Sequence, residues 1–183
     1  MRLYRQTVED FGLYAGLEMD GDQLKMLRTA AGQMSAKMRA VRIVSASSIS
    51  KRELERRLVQ KGEDPKQAQE AVQWMSDLDL VDDAKTAEQI VHSCIHKGYG
   101  LARAKQALYE KRIPKEFWEE ALEDYPEQED KILEFLRSRL SADSDAKEIK
   151  RAVDALIRRG HRYGQIKKGL EQLSLEAEEF LED

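Results

Sequence analysis

The sequence reads LERRLVQKG over residues 54–62, AKQALYEKR over residues 104–112 and AVDALIRRG over residues 152–160. A leucine stands at the fifth position of each stretch, and successive leucines are separated by 50 and then 48 positions. Another apolar residue follows fourteen positions after each of them. The three leucines are Leu58, Leu108 and Leu156. Self-similarity at such a period is typical of repeat architectures, so the sequence predicts three related units.

Apolar residues recur at helical spacing along most of the chain, and no window alternates as a half-buried strand would. Only 10 Gly and 3 Pro interrupt the 183 residues. We therefore predict an all-α fold. Each unit contains two short helices, joined near Gly62, Arg112 or Gly160, and a third helix before them. The preceding helices are expected at Met38–Val44, Ala87–His96 and Ile132–Leu140.

The predicted organisation is a lead-in followed by tandem repeats. Residues 1–35 lie outside the register and are expected to form a short and a longer helix, with N-caps at Thr7 and Asp20. The three-helix repeats are placed at 36–83, 84–127 and 128–183, the last with an acidic tail beyond Leu173. Units of this size bury little core alone, so we expect them to stack into an elongated, curved array.

Start signals support these helices. Ser50 with Glu53 and Asp145 with Glu148 fit the capping box, in which two side chains satisfy free amides at a helix start. Asp64 before Pro65 combines an N-cap with a proline at the first helical position.

Composition restricts the class of protein. Charged residues make up 36% of the chain, and the formal net charge is -4, which argues against a protein whose main affinity is for a phosphate backbone. One cysteine cannot form an internal disulfide, no signal peptide is recognisable, and no apolar run is long enough for a membrane span. We expect a cytoplasmic monomer that does not bind membranes.

The candidate active-site motifs are weak. His92, Cys94 and His96 lack a further metal ligand, so Cys94 is expected in the core with the histidines flanking it. Gly98-Tyr99-Gly100 lacks the third glycine and the strand of a dinucleotide site and is interpreted as a turn. Asp82 and Asp83 stand where a helix begins and are expected to cap it. These patterns predict no enzyme, no cofactor and no metal.

The charge pattern is more informative than the net charge. Residues 97–112 carry five basic and one acidic residue, residues 147–168 carry eight and two, and residues 115–134 carry two and nine. Basic segments of this kind favour contact with an acidic protein surface or with DNA phosphates, although a solvated helix face is an alternative. The candidate partner-binding residues are Arg103, Lys105, Lys111, Arg112, Arg151, Arg158, Arg159, Arg162, Lys167 and Lys168.

Several small motifs occur along the chain: LDLVDD at residues 78–83, Gly100, LYEK at 108–111, SKREL at 50–54, and Leu13 to Asp20. This distributed pattern resembles the RecX family of recombinase regulators. The chain departs from the family pattern at Asp79 and Arg112, where the family has glycine, and at Thr86, where it has phenylalanine.

The resemblance implies three tandem three-helix repeats and a non-enzymatic function. A protein of this kind would bind the filament that RecA recombinase forms on single-stranded DNA and would inhibit its growth, ATP turnover and strand exchange, with effects on recombination, DNA repair and the SOS response. A helical-repeat scaffold for another protein and a weak DNA-binding protein remain the alternatives.

Overall fold

The structure, a computed structural model, describes residues 3–173, and all regular elements in that range are helices. The predicted all-α fold is therefore confirmed. A short 3₁₀ helix, Lys115–Phe117, precedes α7. The α-helices are α1 (Arg5–Asp10), α2 (Gly21–Ala46), α3 (Lys51–Gln60), α4 (Pro65–Asp77), α5 (Asp83–His96), α6 (Leu101–Glu110), α7 (Trp118–Leu122), α8 (Glu129–Arg139), α9 (Ala146–Arg158) and α10 (Tyr163–Gln172).

The described chain forms two compact units, which divide between Thr86 and Ala87. The first unit holds α1 to α4. The second holds most of α5 and the helices α6 to α10. The acidic tail predicted beyond Leu173 lies outside the described residues.

Several helix starts form as predicted. The backbone N–H of Glu53 donates to the Ser50 hydroxyl at 3.2 Å, and that of Gln67 donates to Asp64 at 3.2 Å. Complete capping boxes form at two further starts, where the side chains of Asp20 and Gln23 and of Asp145 and Glu148 accept from each other's backbone amides. Each such cap is typically worth about 1 kcal/mol.

Two local predictions in the first unit are wrong. Tyr4 is the N-cap residue of α1, and Thr7 is a buried residue inside that helix. The segment Met38–Val44 is not a separate helix, because α2 runs without a break from Gly21 to Ala46. No proline stands between the lead-in and this segment, so nothing in the backbone ends the helix there.

The core of the first unit joins α2, α3 and α4. Leu54, Leu58 and Met75 are almost completely buried and pack with small residues such as Ala36 and Ala40 of α2. The alanines let the three helices approach closely. Truncating a buried leucine such as Leu58 to alanine removes packing that is typically worth 2–5 kcal/mol, roughly.

The second unit contains two cores, one for each of the remaining three-helix groups. Leu108 packs with Val91 and Ile113 of the α5–α7 group. Leu156 packs with Leu136 and other apolar residues of the α8–α10 group. The exposed fractions of Leu58, Leu108 and Leu156 are 0%, 0% and 1%, so the predicted register leucines occupy equivalent buried places.

Candidate partner-binding surface

The turn after α5 and the turn after α9 meet in the second unit. The Gly100 N–H donates to the carbonyl of Arg159 at 2.9 Å, and the Ala102 N–H donates to that of Gly160 at 3.3 Å. Gly100 is the N-cap residue of α6 and Ala102 lies in its first turn, where backbone amides have no acceptor within the helix. The contact, which we call the repeat seam, therefore joins the second three-helix group to the third.

Glycine is required on both sides of the repeat seam. A Cβ on Gly100 would overlap the carbonyl of Gly160, and a Cβ on Gly160 would lie 3.0 Å from the Cα of Arg103. Gly160 also has a φ of 89°, in the left-handed region that favours glycine. The prediction that Gly98-Tyr99-Gly100 forms a turn is confirmed, but its contact with another repeat was not predicted.

A buried histidine completes the repeat seam. Nε2 of His161 lies 3.0 Å from the carbonyl oxygen of Gly98, which can only accept, so Nε2 carries the proton and donates. Burial lowers the pKa of His161, with the Gly98 hydrogen bond acting against it and the charge of Arg159 adding to the decrease. The imidazole is therefore neutral at neutral pH and holds the two turns together without a charge.

Beside the repeat seam lies a concave site rich in arginine. It has a volume of about 420 Å³. Its lining residues come from α6 and the turn before it, from α8, and from α9 and the turn after it: Tyr99, Arg103, Phe135, Arg139, Ala155, Arg158 and Arg159. We call this site the arginine cleft. It lies within the second unit and takes residues from two successive repeats.

An aromatic ring positions two of these arginines. The guanidinium carbons of Arg139 and Arg159 lie 5.2 and 4.7 Å from the centroid of the Phe135 ring. These distances are within the range of cation–π attraction. The repeat seam also fixes the Arg159 backbone, because the Arg159 carbonyl accepts from Gly100. Two guanidinium groups are thus held near each other before any partner binds.

The arginine cleft has more positive than negative charge. Arg103 pairs with Glu110 at 3.0 Å, and this partner raises the pKa of Arg103. Within residues 3–173, no carboxylate forms an ion pair with Arg139, Arg158 or Arg159. Neighbouring like charges repel each other, and an anion from outside would relieve this repulsion.

The structure places the predicted basic residues in three settings. Arg103, Arg158 and Arg159 come together in the arginine cleft. Lys105 and Arg162 line a second hollow of about 330 Å³, which also contacts the repeat seam. The remaining candidates are exposed outside both sites: Lys111, Arg112, Arg151, Lys167 and Lys168. All ten stay predictions as partner contacts.

Sequence reasoning missed Arg139 and Phe135. Both lie on α8, outside the two basic segments, and Arg139 stands five positions after the acidic segment 115–134. The available signal was the pair Arg137 and Arg139 in the last turn of a helix, where basic residues are common for local electrostatic reasons. That pattern does not show that Arg139 lines the same cleft as residues of α9, the next helix of the repeat.

The other motifs take structural roles. Cys94 is buried in the core, as predicted, and burial raises the pKa of its thiol. Asp82 accepts from the Lys85 amide at 3.1 Å and so caps α5, whereas Asp83 accepts from the Lys51 amide at 2.9 Å and holds the start of α3. The described residues contain no group of three or more His, Cys, Asp or Glu side chains arranged for a metal ion.

Comparisons with known proteins agree on one family. A family model described as RecX, second three-helix domain, matches residues 82–122. The regulatory protein RecX of Vibrio parahaemolyticus is 26% identical over 148 residues, which cover 76% of this chain and 92% of that protein. The regulatory protein RecX of Vibrio cholerae is 34% identical over 73 residues, covering 40% of this chain and 48% of that protein.

Solved structures show the same fold. A crystal structure of regulatory protein RecX has a TM-score of 0.70 at 18% identity, and the match covers 94% of this chain and 87% of that one. The crystal structure of RecX from Lactobacillus salivarius has a TM-score of 0.67 at 24% identity, with coverage of 79% and 98%. Among the described residues, no helix has the length and apolar character needed to cross a membrane. The tandem helical groups, the local motifs and these matches together confirm the resemblance of the chain to the RecX family of regulatory proteins.

Proposed function

We propose that this chain binds the RecA filament on single-stranded DNA and inhibits filament growth, ATP turnover and strand exchange. It acts by binding alone, as a cytoplasmic monomer without cofactor or metal. The supporting observation is that basic residues of two successive repeats line one cleft in a chain that resembles the RecX family. A surface shared between repeats suits a partner that presents an extended protein face.

The contacts are electrostatic and individually weak. An exposed charge at the rim of an interface is worth a few tenths to about 1 kcal/mol. Single substitutions among the ten candidates should therefore have little effect. Combined charge reversals should weaken binding strongly, and increasing salt should do the same.

The direct test is RecA ATP hydrolysis on single-stranded DNA with increasing amounts of the purified chain. We expect the rate to fall at substoichiometric chain, and no effect at several-fold excess would reject the proposal. Reversal of Arg158, Arg159 and Arg162 to glutamate should weaken filament binding about tenfold or more, from three rim contacts. The matched control reverses Lys115, Arg137 and Lys147, which are exposed and outside the candidate set.

DNA binding is the second candidate, favoured by the arginine cleft and opposed by the net charge of -4. Tight binding to naked DNA at about 150 mM salt, with a steep decrease as salt rises, would favour it. A scaffold for a different protein would be favoured by a pull-down from bacterial extract that captures a partner other than RecA.

A further inference from the structure

We infer that the arginine cleft is a receptor for clustered carboxylates on a protein partner, that is, for an acidic segment carrying two or three neighbouring Asp or Glu side chains. This inference goes beyond the proposed function, because it names the chemistry that the cleft recognises without requiring that the partner be RecA. It rests on the geometry of Arg139, Arg158 and Arg159 around Phe135.

The first step is that the cleft is built for an anion. Three guanidinium groups that have no carboxylate partner among residues 3–173 line a space of about 420 Å³. Two of them are held over one ring, so less side-chain entropy is lost when a ligand binds than for free arginines. A guanidinium presents a planar fork of donors that matches two oxygens of a carboxylate or a phosphate.

The second step separates carboxylates from a nucleic-acid backbone. Glu110 already pairs with Arg103 at the rim, so the chain itself shows a carboxylate in this setting. Residues 115–134 carry nine acidic and two basic residues. This acidic segment runs into α8, which also carries Phe135 and Arg139 of the cleft. A polyanion that extends from the cleft along α8 would therefore meet negative charge, whereas a short acidic protein segment would not.

The third step concerns size. Clefts of about 300–1,000 Å³ hold small-molecule ligands, and the arginine cleft is at the lower end of that range. Two or three side-chain carboxylates fit such a volume. One carboxylate per unpaired arginine also balances the local charge, so the ligand with the best match carries two to three negative groups within a few residues.

The experiment measures fluorescence anisotropy with the full chain and two labelled probes, a glutamate-rich peptide and an oligothymidylate of equal length. The cleft variant is R139Q/R158Q/R159Q. The matched control is K115Q/R137Q/K147Q, which removes the same charge from exposed positions of the same unit. We expect the cleft variant to lose peptide affinity at least tenfold and the control less than twofold, with oligothymidylate affinity changed less than twofold by either.

Three results would overturn the inference: no peptide binding by the unmodified chain, equal losses in the cleft and control variants, or a loss of oligothymidylate binding as large as that of the peptide. The last result would assign the cleft to nucleic acid. Circular dichroism checks the folding of each variant. If the triple variant does not fold, R158Q serves instead, because Arg158 is exposed, and it should lose about threefold in peptide affinity.

No arm of this experiment contains RecA, so its outcome is independent of the proposed function. Peptide binding that depends on the cleft, together with unaffected RecA ATP hydrolysis, would retain the carboxylate site and reject RecA as the partner. Inhibition of RecA without cleft-dependent peptide binding would support RecA as the partner and reject the carboxylate site.

Discussion

Substitution of Gly100 by alanine should open the repeat seam while leaving every helix able to form. The backbone of Gly100 has φ -76° and ψ 166°, which alanine adopts without strain. The added methyl group, however, would occupy the space of the Gly160 carbonyl and lie 2.5 Å from the His161 backbone nitrogen. The obstacle is backbone on both sides, so it cannot be removed by turning a side chain.

The size of the effect follows from the hydrogen bonds that are lost. Separation of the two turns breaks the bonds from Gly100 to Arg159, from Ala102 to Gly160 and from His161 to Gly98. At about 0.5–1.5 kcal/mol each, their loss lowers the free energy of unfolding by about 2–4 kcal/mol. For a unit of this size, that corresponds to a decrease in the melting temperature of roughly 10–20 °C.

The assay is urea unfolding followed by tryptophan fluorescence in a W74F background, where Trp118 reports on the second unit alone. Gly164→Ala is the matched control, because a Cβ there meets nothing within 4 Å and the residue lies in the first turn of α10. It should be neutral or slightly stabilising. If Gly100→Ala unfolds at the same urea concentration as the unmodified chain, the steric account of the repeat seam is wrong.

Three further predictions concern stability. Arg112 has φ 58°, a left-handed conformation that is unfavourable for residues with a side chain. Arg112→Gly should therefore raise the free energy of unfolding, measured by urea denaturation, by about 1 kcal/mol, and no increase would show that the arginine backbone is not strained. The hydrogen bond from Arg56, opposed by burial and reinforced by Arg57, lowers the pKa of Glu53 from 4.5 to about 2. The stability that the Glu53 carboxylate contributes is therefore present above pH 4.5 and is lost as the pH falls towards 2. E53Q should make the urea midpoint depend less on pH in that range, and an unchanged pH dependence would refute this. The pKa of His161 is lowered below 6.5, so the unfolded chain binds the proton more readily and stability should decrease as the pH falls below that value; an NMR titration that gives His161 a pKa above 6.5 would contradict this.

The helices and their cores could be predicted because their signals are local. The three register leucines are buried, and Asp20 and Asp145 cap helices, because apolar spacing and capping depend on residues within a few positions. The turn near Arg112 was predicted from its alignment with Gly62 and Gly160, which both have a φ of 89°, but the left-handed conformation of the arginine was not.

The arginine cleft and the repeat seam could not be predicted in the same way. Arg103 and Arg159 are 56 positions apart, and they meet only because two glycine turns contact each other. A glycine followed by a helix indicates a turn, but it does not indicate which distant segment of the backbone contacts that turn. Arg139 was missed for the same reason, since its role depends on the ring of Phe135 and on packing within the third repeat. Charge density located the basic segments but not the face they share.

The amides at the start of α6 are satisfied by carbonyl groups from beyond α9. Hydrogen exchange at Gly100 therefore requires the third repeat to detach, although Gly100 belongs to the second. The two repeats should open as one cooperative unit, with similar protection factors on both sides of the contact. A boundary drawn between them by sequence similarity would then separate two halves of a single folding unit, and a fragment ending before α8 would leave polar backbone unpaired.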